Sequence, residues 1–299
     1  MGALDRIAIS TLSLMPNGLM RKLSSRYIAG ETLDQALERL ETLTRQGFRG
    51  ALDILGEDVT SEAEARAVAA DYAEAAKSLG ERGIDVYISV KPTHLGLRLS
   101  EELTFELYGK LVRQAEALGL FCRVEMEDHS TTDATLRIFE RLRSLAPDHV
   151  GLVLQARLFR TNADIGALGP GRVNVRMVKG IYLEPEEIAH KTPDSIRDAY
   201  IEGARRVWER DGFVALATHD EQMAERLFQL ARDMEIGKER YELQVLLGVR
   251  TPLWESWREA GHPVRVYVPY GPNWRAYSTR RLKKNPEIFR HVLRDLVRR

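Results

Sequence analysis

The chain has 299 residues, and its 44 Lys and Arg residues balance its 44 Asp and Glu residues to a formal net charge of zero. This balance excludes a global field that would draw the chain to nucleic acid or an anionic membrane, although a local basic site stays open. The single cysteine, Cys122, excludes an internal disulfide and favours a reducing compartment. No run of about 18 apolar residues predicts a membrane span, and Asp5 and Arg6 interrupt the apolar run of a signal peptide. We therefore expect a cytoplasmic protein that binds no nucleic acid, with peripheral contact at the inner face of the membrane left open.

Residues 1–46 precede the first predicted strand and are expected to form an N-terminal helical extension. A helix is predicted to begin at Thr32, or at Glu31 before it, and to end near Gly47. Its apolar stripe consists of Leu33, Leu37, Leu40 and Leu43. We expect this stripe to pack under or beside the domain that follows.

Eight short apolar runs alternate with segments of helical periodicity in the rest of the chain. The predicted strands are 48–55, 85–93, 121–128, 150–157, 172–183, 213–220, 241–248 and 264–271. The predicted helices are 61–80, 100–118, 131–145, 194–210, 221–235 and 275–298, and the gap 158–171 leaves room for a brief helix. Near-continuous apolar strands that alternate with helices are typical of parallel sheets covered on both faces. We therefore predict an α/β fold in which residues 47–299 form a single (β/α)8 TIM-type barrel, with the last helix over its C-terminal mouth.

Charged residues gather at the predicted C-terminal ends of these strands, where barrel enzymes carry their active sites. Lys91 ends the second strand, Glu125 lies in the third, and Arg176 and Lys179 lie in the fifth. A cation inside an apolar run is costly unless a carboxylate or a bound anion offsets its desolvation. Arg176 and Lys179 are therefore predicted to have partners. For Glu125, a purely structural ion pair with Arg176 or Lys91 stays an alternative.

The histidines and the cysteine have simpler interpretations. His94, His129 and His219 are expected to be rim residues with ordinary hydrogen bonds, and Cys122 a buried apolar residue. No G-x-G-x-x-G motif follows a strand and no Walker loop is present, so a bound dinucleotide would not be held as in a Rossmann fold.

A cationic cluster follows the last predicted strand. Tyr277, Arg280 and Arg281 occupy positions i, i+3 and i+4 of a helix that begins near Asn273, so they share one face. Two guanidiniums beside a phenol suit a small carboxylate, because each guanidinium offers a rigid fork of donors. The alternative is a solvated basic helix, which the following Lys283 and Lys284 favour.

Six motifs occur in order on the expected strands. They are Glu57 after Leu-Gly, Lys91-Pro, Glu125-Met-Glu-Asp, Arg176-x-Val-Lys-Gly-x-Tyr182, Ala217-Thr-His219 and Tyr277-x-x-Arg280-Arg281. Together they resemble the proline dehydrogenase family from about residue 48 to 285, and its short monofunctional bacterial enzymes in particular. Two departures are that Glu125 stands where the family commonly has Asp, and Lys284 where the bifunctional relatives carry Glu.

The resemblance implies oxidation of L-proline to 1-pyrroline-5-carboxylate, with FAD as the hydride acceptor and a membrane quinone as the final electron acceptor. It assigns the substrate carboxylate to Lys91, Arg280 and Arg281, and the walls of the pyrrolidine site to Tyr182, Leu246, Tyr267 and Tyr277. Catalytic roles fall on Glu125 and Arg176, with Arg176 near the flavin N5. The implied flavin contacts are Met126, Gln155, Arg176, Val178, Lys179, Gly180, Thr218, His219 and Gln244. Glu57 would pair with Arg280 or Arg281 and help close the site. Tyr267 favours proline over 4-hydroxyproline as the substrate. The resemblance implies no metal and no particular oligomeric state.

Three other functions stay open on the residues alone. A Schiff-base aldolase could use Lys91 or Lys179 as its nucleophile. A metal-dependent hydrolase or lyase could use side chains at the strand ends as metal ligands. The candidate ligands are Glu125, Glu127, His129, His219 and Asp220. A non-catalytic barrel could bind a carboxylate without any cofactor.

Overall fold

The computed structural model describes residues 20, 21, 24–275 and 277–279. Within them, eight parallel strands form a closed barrel in which each strand pairs with the next and the eighth pairs with the first. The strands are β1 (Arg49–Ile54), β2 (Val86–Val90), β3 (Cys122–Val124), β4 (Val150–Gln155), β5 (Asn174–Val178), β6 (Phe213–Ala217), β7 (Tyr241–Leu246) and β8 (Val264–Tyr270). The predicted (β/α)8 barrel is confirmed, with each strand shorter than its predicted run.

Helices follow the strands around the barrel. In the described part of the chain they are α1 (Leu33–Arg45), α2 (Glu62–Arg82), α3 (Glu101–Ala117), α4 (Thr132–Leu145), α5 (Thr161–Ala167), α6 (Pro193–Glu209), α7 (Glu221–Asp233) and α8 (Thr251–Glu259). The brief helix predicted after the fourth strand is α5, whereas α8 was not predicted. The predicted helix 275–298 lies mostly outside the described residues. No helix within those residues is both long and apolar enough to cross a membrane.

Helix α1 packs against β1 and β8. Its first turn is closed by a capping box, in which the side chain of Thr32 accepts from the backbone N–H of Gln35 and the Gln35 side chain accepts in return. Gly50 allows the close approach of helix and strand, because a Cβ there would lie 2.4 Å from Leu40 Cδ2. The predicted helix is confirmed, and the division of the chain into an extension and a barrel stays a prediction.

Alternation along the strands separates two kinds of side chain. Residues that face the helices are apolar, and Cys122 is among them: burial raises the pKa of its thiol to about 12, which confirms an inert packing role. Residues that face the barrel axis include many polar groups. Gln244 of β7 donates to the hydroxyl of Tyr87 in β2 at 2.7 Å, a contact that crosses the barrel interior. Polar side chains therefore line the barrel interior up to the C-terminal ends of the strands.

Candidate active site

A cavity of about 1070 Å³ lies at the C-terminal ends of the strands. Each strand, or the residue after it, contributes to the lining. The residues that the resemblance assigned and that line this cavity are Lys91, Glu125, Met126, Gln155, Arg176, Val178, Lys179, Gly180, Tyr182, Thr218, His219, Gln244, Leu246, Tyr267 and Tyr277. Glu57 is not part of the lining, and Arg280 and Arg281 lie outside the described residues. The structure thus brings most of these residues together, while their individual roles stay predictions.

One buried ion pair lies between the ends of β1 and β2. Lys91 Nζ lies 3.0 and 3.1 Å from the two carboxylate oxygens of Asp53. Burial opposes the charged form of Lys91, but the carboxylates of Asp53, Glu125 and Glu127 outweigh it and raise the pKa of Lys91. Lys91 is therefore an ammonium group held in the wall of the cavity.

A second buried ion pair joins β5 to the end of β3. Arg176 Nη2 donates to Glu125 Oε1, which also accepts from the hydroxyl of Ser89. Burial opposes the charge on Arg176, but Glu125 outweighs it and the pKa of Arg176 is raised. The prediction that Arg176 needs a partner is confirmed, and that partner is Glu125.

Lys179, just after β5, also has the partner that its position required. Its Nζ lies 2.6 Å from Asp220 Oδ2, which accepts from Arg197 Nε at 2.8 Å as well. Burial favours the neutral form of Asp220, but these two cations prevail and lower its pKa to about 2. The loop after β5 is thereby tied to the loop after β6 by charge.

The glutamines of the cavity are held in defined orientations. Gln155 Nε2 donates to the backbone oxygen of Glu127 at 2.6 Å. Gln244 Nε2 donates to Glu242 Oε1 at 2.7 Å, in addition to Tyr87. Gln244 Oε1 and Arg176 Nε are both buried, and neither has a hydrogen-bond partner within the described residues. Arg157, which also lines the cavity, has a buried Nε without a partner among the same residues, so the cavity wall contains one uncommitted acceptor and two uncommitted donors.

Gly180 shapes the chain where it leaves β5. Its φ is +94°, and a Cβ there would lie 3.0 Å from Gln155 Oε1. Both the left-handed backbone and the short contact favour glycine at this position. The predicted strand 172–183 ends early, at Val178, because the chain turns here.

The histidine predictions have mixed outcomes. His129 Nδ1 lies 2.5 Å from Glu184 Oε2, and His219 Nε2 accepts from the backbone N–H of Leu246 at 3.0 Å, so these two make ordinary hydrogen bonds. The prediction for His94 is wrong. It is buried instead of lying at the rim, and its Nδ1 has no hydrogen-bond partner among the described residues. The turn of 3-10 helix at Pro92–Leu95 carries the side chain inward.

Comparison with known proteins decides the family. The family model described as proline dehydrogenase matches residues 36–292 of this chain. The chain belongs to the proline dehydrogenase family. It is therefore an oxidoreductase, and the resemblance predicted from the six motifs is confirmed.

Relatives in the proline dehydrogenase family match over nearly the whole chain. The proline dehydrogenase of Deinococcus radiodurans is 32% identical over 283 residues, which cover 93% of this chain and 91% of the relative. Proline dehydrogenase 1 of Bacillus subtilis is 31% identical over 276 residues, which cover 92% and 90%. The crystal structure of proline utilization A (PutA) from Bdellovibrio bacteriovorus, inactivated by N-propargylglycine, matches with a TM-score of 0.81 and 25% identity. That match covers 87% of this chain and 32% of the solved one, so this chain spans about a third of the PutA chain.

The geometry of this proline dehydrogenase family member disfavours an aldolase. A Schiff-base lysine must lose its proton before it attacks a carbonyl. Lys91 has a raised pKa and contacts Asp53, and Lys179 is engaged by Asp220. Neither amine is prepared to act as a nucleophile.

The metal-site alternative required five side chains to converge, and the structure disperses them. Glu127 accepts from the backbone N–H and the hydroxyl of Thr93 at 2.9 and 2.7 Å. Glu125, His129, His219 and Asp220 have the separate partners given above. Over the described ranges, no three His, Cys, Asp or Glu side chains gather in a way that could hold a metal ion.

Sequence reasoning missed several charged residues of the cavity lining, and the one that contacts Lys91 is Asp53; the others are Arg157, Lys191, Arg197, Glu221 and Arg250. Asp53 lies inside the apolar run of β1, is fully buried, and contacts Lys91. The signal was present, because a carboxylate inside an apolar strand needs a partner for the same reason as a cation does. Applied to both signs of charge, the rule would have selected Asp53 together with Arg176.

Proposed function

We propose that this family member oxidises L-proline to 1-pyrroline-5-carboxylate with FAD as its cofactor. One observation carries the proposal: two cations, Lys91 held by Asp53 and Arg176 held by Glu125, line a single cavity. One cation suits the carboxylate of an amino acid, and the other suits an electron-rich cofactor. The names of the curated relatives support proline as the substrate.

The substrate part of the proposal concerns Lys91 and the aromatic lining. Lys91 would bind the carboxylate of proline together with Arg280 and Arg281. The residues proposed to enclose the pyrrolidine ring are Tyr182, Leu246, Tyr267 and Tyr277. An aromatic ring at Tyr267 leaves less room for the extra hydroxyl of 4-hydroxyproline, which favours proline. Two fixed ends of a small substrate define its approach, and positioning of this kind can supply much of the rate enhancement.

The cavity fits a flavin as judged by its unsatisfied polar atoms. A volume of about 1070 Å³ is at the upper end for ligand pockets, typically ~300–1,000 Å³, and so has room for more than a small amino acid. Arg176 Nε is an uncommitted buried donor and Gln244 Oε1 an uncommitted buried acceptor. A flavin ring offers both acceptors and a donor at its edges. Other residues proposed to hold it are Met126, Gln155, Val178, Lys179, Gly180, Thr218 and His219, and FAD, when bound, supplies the hydride acceptor.

Arg176 has the properties of an electrostatic group prepared in advance. Glu125 fixes one side of its guanidinium, so its charge does not have to reorganise when negative charge develops nearby. Donors fixed in this way contribute about 2–4 kcal/mol of transition-state stabilisation in other enzymes. We assign Arg176 the stabilisation of the reduced cofactor, and Glu125 the positioning of Arg176.

A quinone as final electron acceptor is proposed on the resemblance alone. Peripheral contact with the inner face of the membrane would bring such an acceptor within reach. Both remain predictions for this chain.

An anaerobic titration tests the proposed function. The purified protein should be yellow, with flavin absorption bands that bleach when L-proline is added without oxygen. Colour without bleaching would retain the flavin and reject the substrate. A colourless protein whose substrate adduct on lysine is trapped by borohydride would favour the aldolase, and activity lost on chelation would favour a metal enzyme.

A further inference from the structure

We propose that Asp53 is a positioning residue for substrate binding, which acts by fixing the ammonium group of Lys91 in the cavity wall. The inference rests on the proposed function, in which Lys91 binds the substrate carboxylate. It concerns a residue of β1 that none of the six sequence motifs contains.

The first step of the argument is the geometry of the pair. Both oxygens of Asp53 lie within 3.1 Å of Lys91 Nζ, so the ammonium is centred on the carboxylate. An ammonium group has three N–H donors. Two of them are committed to Asp53 by these contacts, which leaves one for a ligand in the cavity that Lys91 lines. The pair therefore orients a single donor.

The second step is that Asp53 is itself held in place. It belongs to β1 and is in register with Pro269 of β8. The hydroxyl of Tyr72, from α2, donates its single proton to the backbone oxygen of Ser89 at 3.0 Å and lies 3.5 Å from Asp53 Oδ1, so the Tyr72 side chain packs beside the carboxylate. The phenol of Tyr267, in β8, opposes the rise that burial causes in the pKa of Asp53, which is fully buried. A carboxylate buried between a helix and a neighbouring strand can hold its partner with little freedom.

The third step concerns what Lys91 would do without Asp53. Lysine has a flexible four-carbon stem and no preferred direction for its charge. Glu125 and Glu127 also attract Lys91. Loss of the Asp53 carboxylate would therefore release the ammonium toward these other carboxylates and remove its donor from the place where the substrate binds. We expect weaker substrate binding, with the hydride-transfer step itself little changed.

The test is a double-mutant cycle on the flavin-loaded enzyme. Asp53→Asn should raise KM for L-proline about tenfold and change kcat less than twofold, with the flavin absorption spectrum unaltered. In a Lys91→Met background, the same Asp53→Asn change should alter KM less than twofold, because no ammonium is left to position. An equal change of KM in both backgrounds, or an unchanged KM in Asp53→Asn alone, would overturn the inference.

A binding measurement without turnover complements the kinetics. Cyclopentanecarboxylate has the ring and the carboxylate of proline but no amine, and its binding can be followed by the perturbation of the flavin spectrum. Its Kd should rise about tenfold in Asp53→Asn and show the same dependence on Lys91. Tyr241→Phe is the structural control: it removes a hydroxyl that contacts His262 Nδ1 at 2.9 Å at the N-terminal end of β7, the end of the barrel opposite the cavity, so the thermal midpoint should fall while KM stays within twofold of wild type.

A second substitution keeps the inference testable if the Asp53→Asn protein does not fold. Asp53→Glu keeps the charge and displaces the carboxylate by one methylene, so it should raise KM while the protein still binds flavin. Wild-type KM in that variant would refute the positioning role. Lys91→Met with an unchanged KM is a different outcome, because it would reject the proposed role of Lys91 in the substrate site itself.

Discussion

The guanidinium carbon of Arg176 lies 5.3 Å from the centroid of the Tyr267 ring, so a cation of β5 and a phenol of β8 meet across the barrel. Contacts at this distance between a guanidinium and an aromatic ring are attractive. The two residues have different proposed partners, the cofactor for Arg176 and the substrate for Tyr267. Substitutions at the two positions should therefore affect different measurements.

Arg176→Ala should weaken flavin binding and slow flavin reduction by proline about 100-fold, in line with the ~2–4 kcal/mol of a single prepared donor. Arg176→Lys is the matched control, because it keeps the charge and loses the planar fork, and it should be intermediate. Stopped-flow absorption measures reduction, and circular dichroism checks that the fold is retained. A reduction trace for Arg176→Ala that matches wild type would refute the electrostatic role.

Tyr267→Ser should shift the substrate preference toward 4-hydroxyproline. The smaller side chain makes room for an extra hydroxyl and removes an apolar wall, an exchange worth about 1–3 kcal/mol in comparable pockets. The measurement is the ratio of kcat/KM for the two substrates. Tyr267→Phe, which removes only the hydroxyl, should retain the wild-type preference, and a preference that is the same in all three proteins would contradict the steric argument.

Arg281→Lys should raise KM for proline at least tenfold while the flavin stays bound. A lysine cannot reproduce the two parallel donors that a guanidinium presents to a carboxylate. The same substitution tests a residue outside the described part of the chain. Lys284→Ala, on the same predicted helix, should leave KM unchanged, and unchanged proline kinetics in Arg281→Lys would exclude Arg281 from the substrate site.

The free energy of unfolding should decrease as the pH is lowered, because of His94. Burial, and then the charge of Lys91, lower the pKa of His94 to about 4, whereas an unfolded histidine titrates near ~6.5. Between these values the unfolded chain binds more protons than the folded chain, so the free energy of unfolding decreases as pH falls through this window. From pH 7 to pH 5, His94 should account for about 2 kcal/mol of that loss.

Urea unfolding of wild type and His94→Gln at pH 7 and pH 5 measures this contribution. Glutamine does not titrate, so the variant should lose less stability than wild type between the two pH values. Equal losses in both proteins would show that the His94 environment is not as the structure describes it.

The architecture could be predicted from the sequence because its signals are local. Eight apolar runs of eight to twelve residues, separated by segments of helical periodicity, predicted the order of the strands and with it the barrel. Helix α8 was not predicted because it has only nine residues. Its two buried residues, Trp254 and Trp257, are too few to reveal the helical period of 3.6 residues. The premature end of β5 depends on the backbone of Gly180, which a run of apolar letters does not reveal.

The site was predictable in its composition and less so in its pairings. That Arg176 and Lys179 need partners followed from desolvation alone. Which carboxylates they meet depends on strand register and loop course: Lys179 finds Asp220 on the next unit, and Arg176 passes over β4 to reach Glu125. The same three-dimensional information was missing for His94, where a single turn after β2 decides between rim and interior.

The barrel closes only through its first and last strands, and Arg265 donates to the backbone oxygen of Gly50, 215 positions earlier in the chain. During synthesis, β1 therefore cannot pair with β8 until β8 has left the ribosome, and the two edge strands of the partial sheet stay unpaired until then. Unpaired edge strands can pair with other chains and cause aggregation. We expect the yield of this protein in cells to depend on chaperones that shield nascent chains, more than on the stability of the finished enzyme.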